Sequence, residues 1–218
     1  MGTSNDCFQT AEKKYKITYD FIKNVMNKYD YPYIVCTKND MVVDPEYMEL
    51  YDKDRSAFQF TLSTLKPEYL EGIEAGAPSA DRRIEAMRVL SEAGYHVGCR
   101  ISPWIPEYMD DLEDLVKRLA DAGVKHVISE LLRISSILNK VMIQECDFDV
   151  VEKYKKMGVK MGSGYYRYPL EEKIKHQKEL AEMCKKYGMT FATCGDEDPS
   201  FHTVKNCCGF DGMKKFDG

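Results

Sequence analysis

The sequence predicts an α/β protein in which parallel strands alternate with helices to form a partial barrel. From residue 33 to residue 131, short apolar runs rich in β-branched residues alternate with amphipathic helical stretches. Two of these helical stretches end at a glycine, Gly94 and Gly123, directly before the next strand-like run. Such short spacing requires parallel strands and right-handed crossovers. Periodicity alone leaves open whether the sheet is doubly wound or closes into a barrel.

The first elements follow in chain order. An apolar stripe of Tyr15, Tyr19, Ile22 and Met26 predicts a helix over residues 12–29, which Pro32 ends. Strands are predicted at residues 33–37, 57–62 and 96–101 and from residue 126 onward. Asp44 as cap and Pro45 open a short helix, Ser79 caps a helix that runs to about residue 93, and a further helix spans residues 108–122.

After Arg133 the alternation stops. The patterns there predict helices at residues 149–157 and 169–187, a loop at 158–168 and a last strand at 189–193. The tail from Cys194 has no clear period. We therefore divide the chain into a partial (β/α) barrel, residues 1–135, and a C-terminal helical extension with a cysteine-rich tail, residues 136–218.

Composition limits the function classes. A net charge of −5 gives no general attraction to nucleic acid, so nucleic acid is only a weak candidate partner. No apolar run approaches the ~20 residues of a membrane span. The N-terminal residues also lack the apolar core of a signal peptide, so we expect a cytoplasmic protein without a membrane partner. Eight cysteines in such a chain do not predict a disulfide framework, and Cys36 and Cys99 lie in apolar runs that favour burial.

Polar residues collect where the predicted strands end, which is where parallel α/β folds bind ligands. These residues are Lys38, Thr61, Ser63, Thr64, Arg100, Ser102, Glu130 and Arg133. Cations, hydroxyls and a carboxylate together suit an anionic or zwitterionic ligand, although any one of them can equally be a solvated loop residue. Arg100 stands out because it follows an apolar run, and a buried arginine requires a carboxylate or an anionic ligand.

Other candidate groups are weaker. His96 and His126 begin predicted strands, so they lie at the opposite end from the expected site. His176 is expected on a solvated helix face, whereas His202 lies near the tail cysteines. Trp104 could stack a ring at the mouth of the site or simply cover the loop. No hydrolase triad order, phosphate-binding loop or dinucleotide fingerprint is present, so the catalytic residues stay unassigned.

Four stretches match the motifs of one known family, in order and with similar spacing. They are residues 1–12, MGTSNDCFQTAE; residues 35–40, VCTKND; residues 60–64 with 74–83, FTLST and EAGAPSADRR; and residues 93–103, AGYHVGCRISP. On these residues the chain resembles radical SAM proteins of the spore photoproduct lyase and "DNA repair photolyase" group. The match covers residues 1 to about 135 and extends loosely to about 195.

The resemblance implies an incomplete TIM-like barrel, a lyase-like enzyme and two cofactors, S-adenosylmethionine and a four-iron four-sulfur cluster. The cofactor supplies the radical chemistry and the protein positions it. By resemblance, the residues at the S-adenosylmethionine pocket are Lys38, Thr61, Ser63, Glu74, Arg83, Arg100 and Ser102.

One departure from the family is large. The three-cysteine loop that holds the cluster is absent, and Cys7 and Cys36 are too far apart to replace it. We expect a fragment that binds S-adenosylmethionine without the cluster-binding segment, which another chain could supply. The alternative is a non-catalytic or degenerate barrel subunit that completes another chain. A less favoured alternative is an unrelated barrel enzyme using Lys38 and Glu130.

The tail cysteines form a separate candidate site. Cys194, Cys207 and Cys208, with Cys184 one helix earlier, could ligate a metal, such as a second iron–sulfur cluster. Their spacing matches no standard zinc or ferredoxin motif. The alternative is a set of buried or free surface thiols.

Overall fold

A computed structural model describes residues 1–2, 5–146, 149–157, 164–194 and 200–210. Its strands are β1 (Tyr33–Thr37), β2 (Ser56–Thr61), β3 (His96–Trp104), β4 (His126–Leu131), β5 (Ile134–Ser135), β6 (Tyr165–Tyr166) and β7 (Thr190–Thr193). Within these described residues, five strands form one parallel sheet in the order β1-β2-β3-β4-β7, and β5 pairs with β6 antiparallel. The predicted fold class, a parallel α/β fold with a C-terminal helix, is confirmed.

The helices are α1 (Glu12–Tyr15), α2 (Ile17–Phe21), α3 (Pro45–Met48), α4 (Pro67–Ile73), α5 (Ala80–Glu92), α6 (Leu112–Asp121), α7 (Ser136–Cys146), α8 (Val150–Lys156) and α9 (Leu170–Lys186). A π-helical turn, Ile22–Met26, continues α2, and a 3-10 turn spans Asp40–Val43. Helices α4 and α7 were not predicted. Residues 3–4 of the first motif and 158–163 of the predicted loop lie outside the described residues.

The predicted helix at residues 12–29 is wrong as a single element. Lys16 takes a left-handed conformation, φ 50°, which separates α1 from α2. Glu12 turns inward, and its carboxylate accepts hydrogen bonds from the amides of Thr18 at 2.9 Å and Tyr19 at 3.0 Å. Those two amides lie in the first turn of α2, where no helical carbonyl can pair with them. A buried side chain therefore starts a second helix that the apolar stripe could not show.

The sheet separates its residues into two faces. Val35, Phe58, Phe60, Val97 and Val127 are fully buried, helices α5 and α9 lie against the sheet, and α6 packs against both helices. Successive side chains of a strand point to opposite faces, so Cys36, Gln59 and Arg100 point the other way. We call the face that carries them the inner face. Because β7 pairs with β4, the chain beyond residue 135 extends the same sheet.

The tail returns to the sheet after β7. The amide of Thr203 donates to the Phe191 carbonyl at 2.9 Å, and Phe210 is buried with its ring centroid 5.1 Å from that of His96. Gly209 has a φ of +68°, and a Cβ there would come within 2.3 Å of the His126 ring. This part of the tail is therefore packed against the starts of β3 and β4. In the described part of the chain, no helix is both long and apolar enough to cross a membrane.

Candidate functional site

Asp6 fixes the end of β1. Its carboxylate accepts hydrogen bonds from the Thr37 hydroxyl at 2.8 Å, the Lys38 amide at 2.7 Å and the Phe8 amide at 2.8 Å. The N-terminal segment is thereby tied across the end of the strand. Lys38 leaves this strand with its backbone held by a charge-assisted hydrogen bond.

Asp111 fixes the loop after β2 in the same way. The Thr64 hydroxyl donates to its carboxylate at 2.8 Å, and the Leu65 amide donates at 2.6 Å. The same arrangement therefore follows β1 and β2: one aspartate accepts hydrogen bonds from a threonine hydroxyl and from the amide of the next residue. Neither aspartate was identified as a candidate from the sequence.

A buried ion pair lies beside these two strand ends. Glu74 and Arg83 have no exposed side-chain surface and are in direct contact. The Ser63 hydroxyl donates to the Glu74 carboxylate at 3.1 Å, and the Lys38 ammonium lies 3.8 Å from the same oxygen. Arg83 also donates to the carbonyls of Pro78 at 2.7 Å and Thr61 at 2.9 Å. Because both charges are paired and hydrogen-bonded, burial does not leave either one uncompensated.

The residues around this ion pair enclose a cavity of about 510 Å³, which we call the polar cleft. Its lining residues are Asp6, Phe8, Gln9, Thr10, Ala11, Lys38, Asn39, Glu74, Ala75, Gly76, Ala77 and Pro78. Lys38 keeps 37% of its side chain exposed and brings a positive charge to this wall. A partly exposed lysine ammonium and the polar groups of the cleft lining together can bind a zwitterionic ligand.

Arg100 lies elsewhere. Its guanidinium donates to Glu130 at 2.9 Å, which is the carboxylate that the sequence argument required. Burial opposes the charged form of Arg100. The hydrogen bond to Cys194 and the charge of Glu130 outweigh that effect and raise the pKa of Arg100 above its ordinary value. Arg100 is therefore a permanent cation on the inner face of the sheet.

A second cavity, of about 520 Å³, lies on the inner face, and we call it the thiol cavity. It is lined by Met1, Phe21, Met26, Pro32, Tyr33, Ile34, Cys36, Gln59, Arg100, Ile128, Cys194, Cys207 and Cys208. Burial raises the pKa of Cys36, and it is also the main cause that raises the pKa of Cys208 to about 12. The thiols of Cys207, Cys36 and Cys194 add to the rise at Cys208. The Sγ atoms of Cys207 and Cys208 are 3.9 Å apart.

The structure divides the predicted site residues between these two places. Lys38, Thr61, Ser63, Glu74 and Arg83 meet at or directly behind the polar cleft, with Thr61 contributing its carbonyl. Arg100 and Ser102 are not among the residues that line the cleft. The predicted strand ended at residue 101, one residue after Arg100, whereas β3 continues to Trp104, so Arg100 lies within the sheet rather than at the strand end.

The predicted tail cysteines Cys194, Cys207 and Cys208 do come together, and Cys36 joins them at the thiol cavity. Cys184, by contrast, is fully buried in α9. Among the residues that the structure describes, no three His, Cys, Asp or Glu side chains already stand in an arrangement that could hold one metal ion. Metal binding at these cysteines stays a prediction.

Other predictions have clear outcomes. His96 and His126 do begin strands, away from the polar cleft. The solvated position expected for His176 is wrong, because its side chain is only 22% exposed and its ring lies 5.8 Å from that of Trp104. Trp104 itself is buried inside the protein rather than placed at the mouth of the cleft. His202 binds the Thr193 amide at 3.0 Å.

Residues 22–213 match the family described as "Domain of unknown function (DUF1848)". Two curated relatives are uncharacterised proteins. One, from Acidianus two-tailed virus, is 32% identical over 107 residues, which is 46% of this chain and 35% of that protein. The other, from Methanocaldococcus jannaschii, is 30% identical over 111 residues, which is 50% of this chain and 41% of that protein. Each match spans less than half of the relative.

Solved structures of spore photoproduct lyase share the fold. The complex with dinucleoside spore photoproduct gives a TM-score of 0.61 at 19% identity, covering 81% of this chain and 55% of that chain. A mutant with bound AdoMet and dinucleoside spore photoproduct gives 0.65 at 17% identity, covering 87% of this chain and 58% of that chain. The chain thus spans a little more than half of the lyase's length, and the likeness concerns the fold.

Proposed function

We propose that the polar cleft of this chain binds S-adenosylmethionine. The chain belongs to the DUF1848 family, a radical-SAM-like family, and it has the fold of spore photoproduct lyase. The lyase mutant structure contains bound AdoMet, which supports this ligand for the shared fold. The observation that carries the proposal is the set of groups at the strand ends: Lys38 reaches the cleft, and its ammonium lies 3.8 Å from the buried Glu74 carboxylate, which Arg83 holds from behind.

The chemistry of the cleft fits the ligand. S-adenosylmethionine carries a carboxylate, an ammonium, a sulfonium and ribose hydroxyls. The Lys38 ammonium can pair with the ligand carboxylate, and the fully buried Glu74 carboxylate, 3.8 Å from that ammonium, orients it. Arg83 and Ser63 fix the Glu74 oxygens before any ligand arrives, which lowers the cost of ordering the site.

The proposal assigns binding to this chain and no radical step. A radical SAM enzyme also needs an iron–sulfur cluster, and among the described residues no three-cysteine group suited to it is assembled at the polar cleft. Cys7 lies nearby, but burial is the main cause that raises its pKa to about 12, which keeps it a neutral thiol. The cleft residues therefore account for recognition of the nucleoside sulfonium and not for its cleavage.

Isothermal titration calorimetry tests the proposal with S-adenosylmethionine and three proteins: the wild type, Lys38→Met and Lys117→Met. Loss of one charge-assisted contact should weaken binding by roughly ten- to a hundredfold in Lys38→Met. Lys117 lies on the exposed side of α6, so its substitution should leave the affinity unchanged. No binding heat in the wild type, or equal affinities in both variants, would contradict the proposal and favour a non-catalytic subunit.

A further inference from the structure

A turn of the tail brings two adjacent cysteines, Cys207 and Cys208, to the thiol cavity. Their Sγ atoms are 3.9 Å apart, so the two sulfurs are in contact with each other. Among the cysteines that the structure describes, Cys207 alone is exposed, whereas Cys208 is half-buried. A reagent that arrives from solvent therefore meets one thiol of the pair first, and the second thiol lies directly beside it.

The other two cysteines of the cavity have different partners. Cys36 contacts the Gln59 side-chain oxygen at 3.7 Å, and Cys194 is hydrogen-bonded to the Arg100 guanidinium. Both side chains are partly buried. In the described part of the chain, the sulfur-to-sulfur contact at this cavity is thus the one between the two tail cysteines.

Contacts with the sheet and within the turn hold this pair in place. A ring nitrogen of His126 lies 3.0 Å from the Cys207 carbonyl, and the Cys208 amide donates to the Asn206 side chain at 3.1 Å. His126 is fully buried, and the Gly209 amide closes the turn by donating to the Asn206 carbonyl at 3.2 Å. The two sulfurs are therefore held side by side before any reagent arrives.

A disulfide between neighbouring residues is a strained one. The peptide that joins Cys207 to Cys208 is trans, and adjacent Cα atoms across a trans peptide are about 3.8 Å apart. Disulfides usually join Cα atoms that are about 4.4–6.8 Å apart, and departures from this geometry make the bond easier to reduce. Strained or exposed disulfides are the labile ones that serve regulation or catalysis. We therefore expect oxidation of this pair to be reversible.

We propose that hydroperoxides oxidise Cys207 and Cys208 to a reversible disulfide, with Cys207 as the thiol that reacts first. The Cys207 thiolate attacks one oxygen of the hydroperoxide, the O–O bond breaks, and the leaving oxygen takes up a proton to give water or an alcohol. The Cys208 sulfur then attacks the sulfenic acid, the S–O bond breaks, and the hydroxyl leaves as water with the Cys208 proton. The two thiols lose two electrons and two protons, and the hydroperoxide gains both.

The experiment treats the fully reduced wild-type protein with one equivalent of hydrogen peroxide and then alkylates the remaining thiols. Trypsin cleaves after lysine, so both cysteines fall in one peptide, residues 206–214. We expect mass spectrometry to find this peptide without alkyl groups and lighter than its dithiol form by two hydrogen atoms. Reduced glutathione should then restore both thiols, because the bond is strained. Neither cysteine lines the polar cleft, so the result is independent of S-adenosylmethionine binding.

Three variants assign the roles of the two thiols. In Cys208→Ser the disulfide should be lost, and Cys207 should stop at the sulfenic acid, which dimedone labels. In Cys207→Ser the fast phase of peroxide consumption should be lost, since the half-buried thiol is the one that remains. The matched control, Cys194→Ser, changes a cysteine of the same cavity and should still form the bond within residues 206–214.

Several results would overturn the proposal. One is a disulfide from either tail cysteine to Cys36 or Cys194, which would join two tryptic peptides. The others are tail thiols that stay unreacted with peroxide, oxidation of Cys207 beyond the sulfenic acid in the wild type, and a disulfide that glutathione does not reduce. The peptide map of the wild type distinguishes these results, so the test holds even if a variant fails to fold.

Discussion

The polar cleft and the thiol cavity have almost equal volumes, about 510 and 520 Å³, but opposite chemistry. The cleft lies at the strand ends, and its carboxylates are already held by hydroxyls, amides and a buried guanidinium. The cavity lies on the sheet face and combines four thiols with one cation and apolar side chains. The comparison teaches that one sheet can position preorganised oxygen groups at the C-terminal ends of its strands and sulfur groups on one of its faces.

The largest expected effect concerns the ion pair behind the polar cleft. Arg83→Met leaves the Glu74 carboxylate buried without its main partner and should lower the free energy of unfolding by about 3–5 kcal/mol. The neighbouring Arg82 is 64% exposed and pairs with Asp40, so Arg82→Met should cost about 0–1 kcal/mol. Urea denaturation of both variants measures the difference. Equal losses would mean that the buried pair does not hold the cleft.

The paired aspartates give the next effect. Asp6→Ala leaves one hydroxyl and two amides unpaired, Asp111→Ala leaves one hydroxyl and one amide unpaired, and each variant should lose about 1–3 kcal/mol of stability. Only Asp6 lines the polar cleft, so only Asp6→Ala should also weaken S-adenosylmethionine binding. Denaturation and calorimetry on both variants test this separation. Unchanged affinity in Asp6→Ala would show that the N-terminal segment is not part of the binding site.

The smallest effect depends on pH and concerns the support of the cleft wall. The Glu12 carboxylate accepts hydrogen bonds from Thr18, Tyr19 and, at 2.7 Å, Tyr47. Burial acts to raise the pKa of Glu12, but these hydrogen bonds outweigh it and lower the pKa below its usual value. A lowered folded-state pKa contributes stability above the unfolded value, and that stability is lost as the pH falls through the folded one.

Wild type should therefore exceed Glu12→Gln in stability at neutral pH by about 1 kcal/mol, because glutamine keeps an acceptor oxygen and loses only the charge. The gap should narrow below about pH 4.3, the ordinary pKa of glutamate. Unfolding curves recorded at several pH values measure the gap. A gap that is constant with pH would contradict the ionic role of Glu12.

Much of the fold follows from local sequence patterns. The five strands of the parallel sheet and helix α5 were predicted to within a few residues, because apolar periodicity and glycine stops are local signals, whereas the short strands β5 and β6 were not predicted. The convergence of Lys38, Ser63 and Glu74 was also predicted. Strand ends and a family resemblance pointed to the same edge of the sheet.

The errors arise where contacts between residues that are distant in the sequence determine the local structure. Arg100 was placed with Lys38 because β3 was predicted to end at residue 101, and nothing local shows that it continues through Pro103 to Trp104. Glu12 turns inward although the apolar stripe of its segment predicts that it faces solvent. The contact of His126 with the Cys207 carbonyl joins residues that are far apart in the sequence. Such contacts cannot be read from periodicity, which is why the thiol cavity gained Cys36 only from the structure.

Hydrogen exchange with and without S-adenosylmethionine tests the central claim most directly, because it locates the ligand on the chain. We expect added ligand to slow exchange at the backbone amides of Phe8, Lys38, Asn39 and residues 74–77, which line the polar cleft. Amides around Cys36 and residues 206–208 at the thiol cavity should keep their rates. Slowed exchange at the thiol cavity alone, or no change anywhere, would contradict the assignment of the cleft as the binding site.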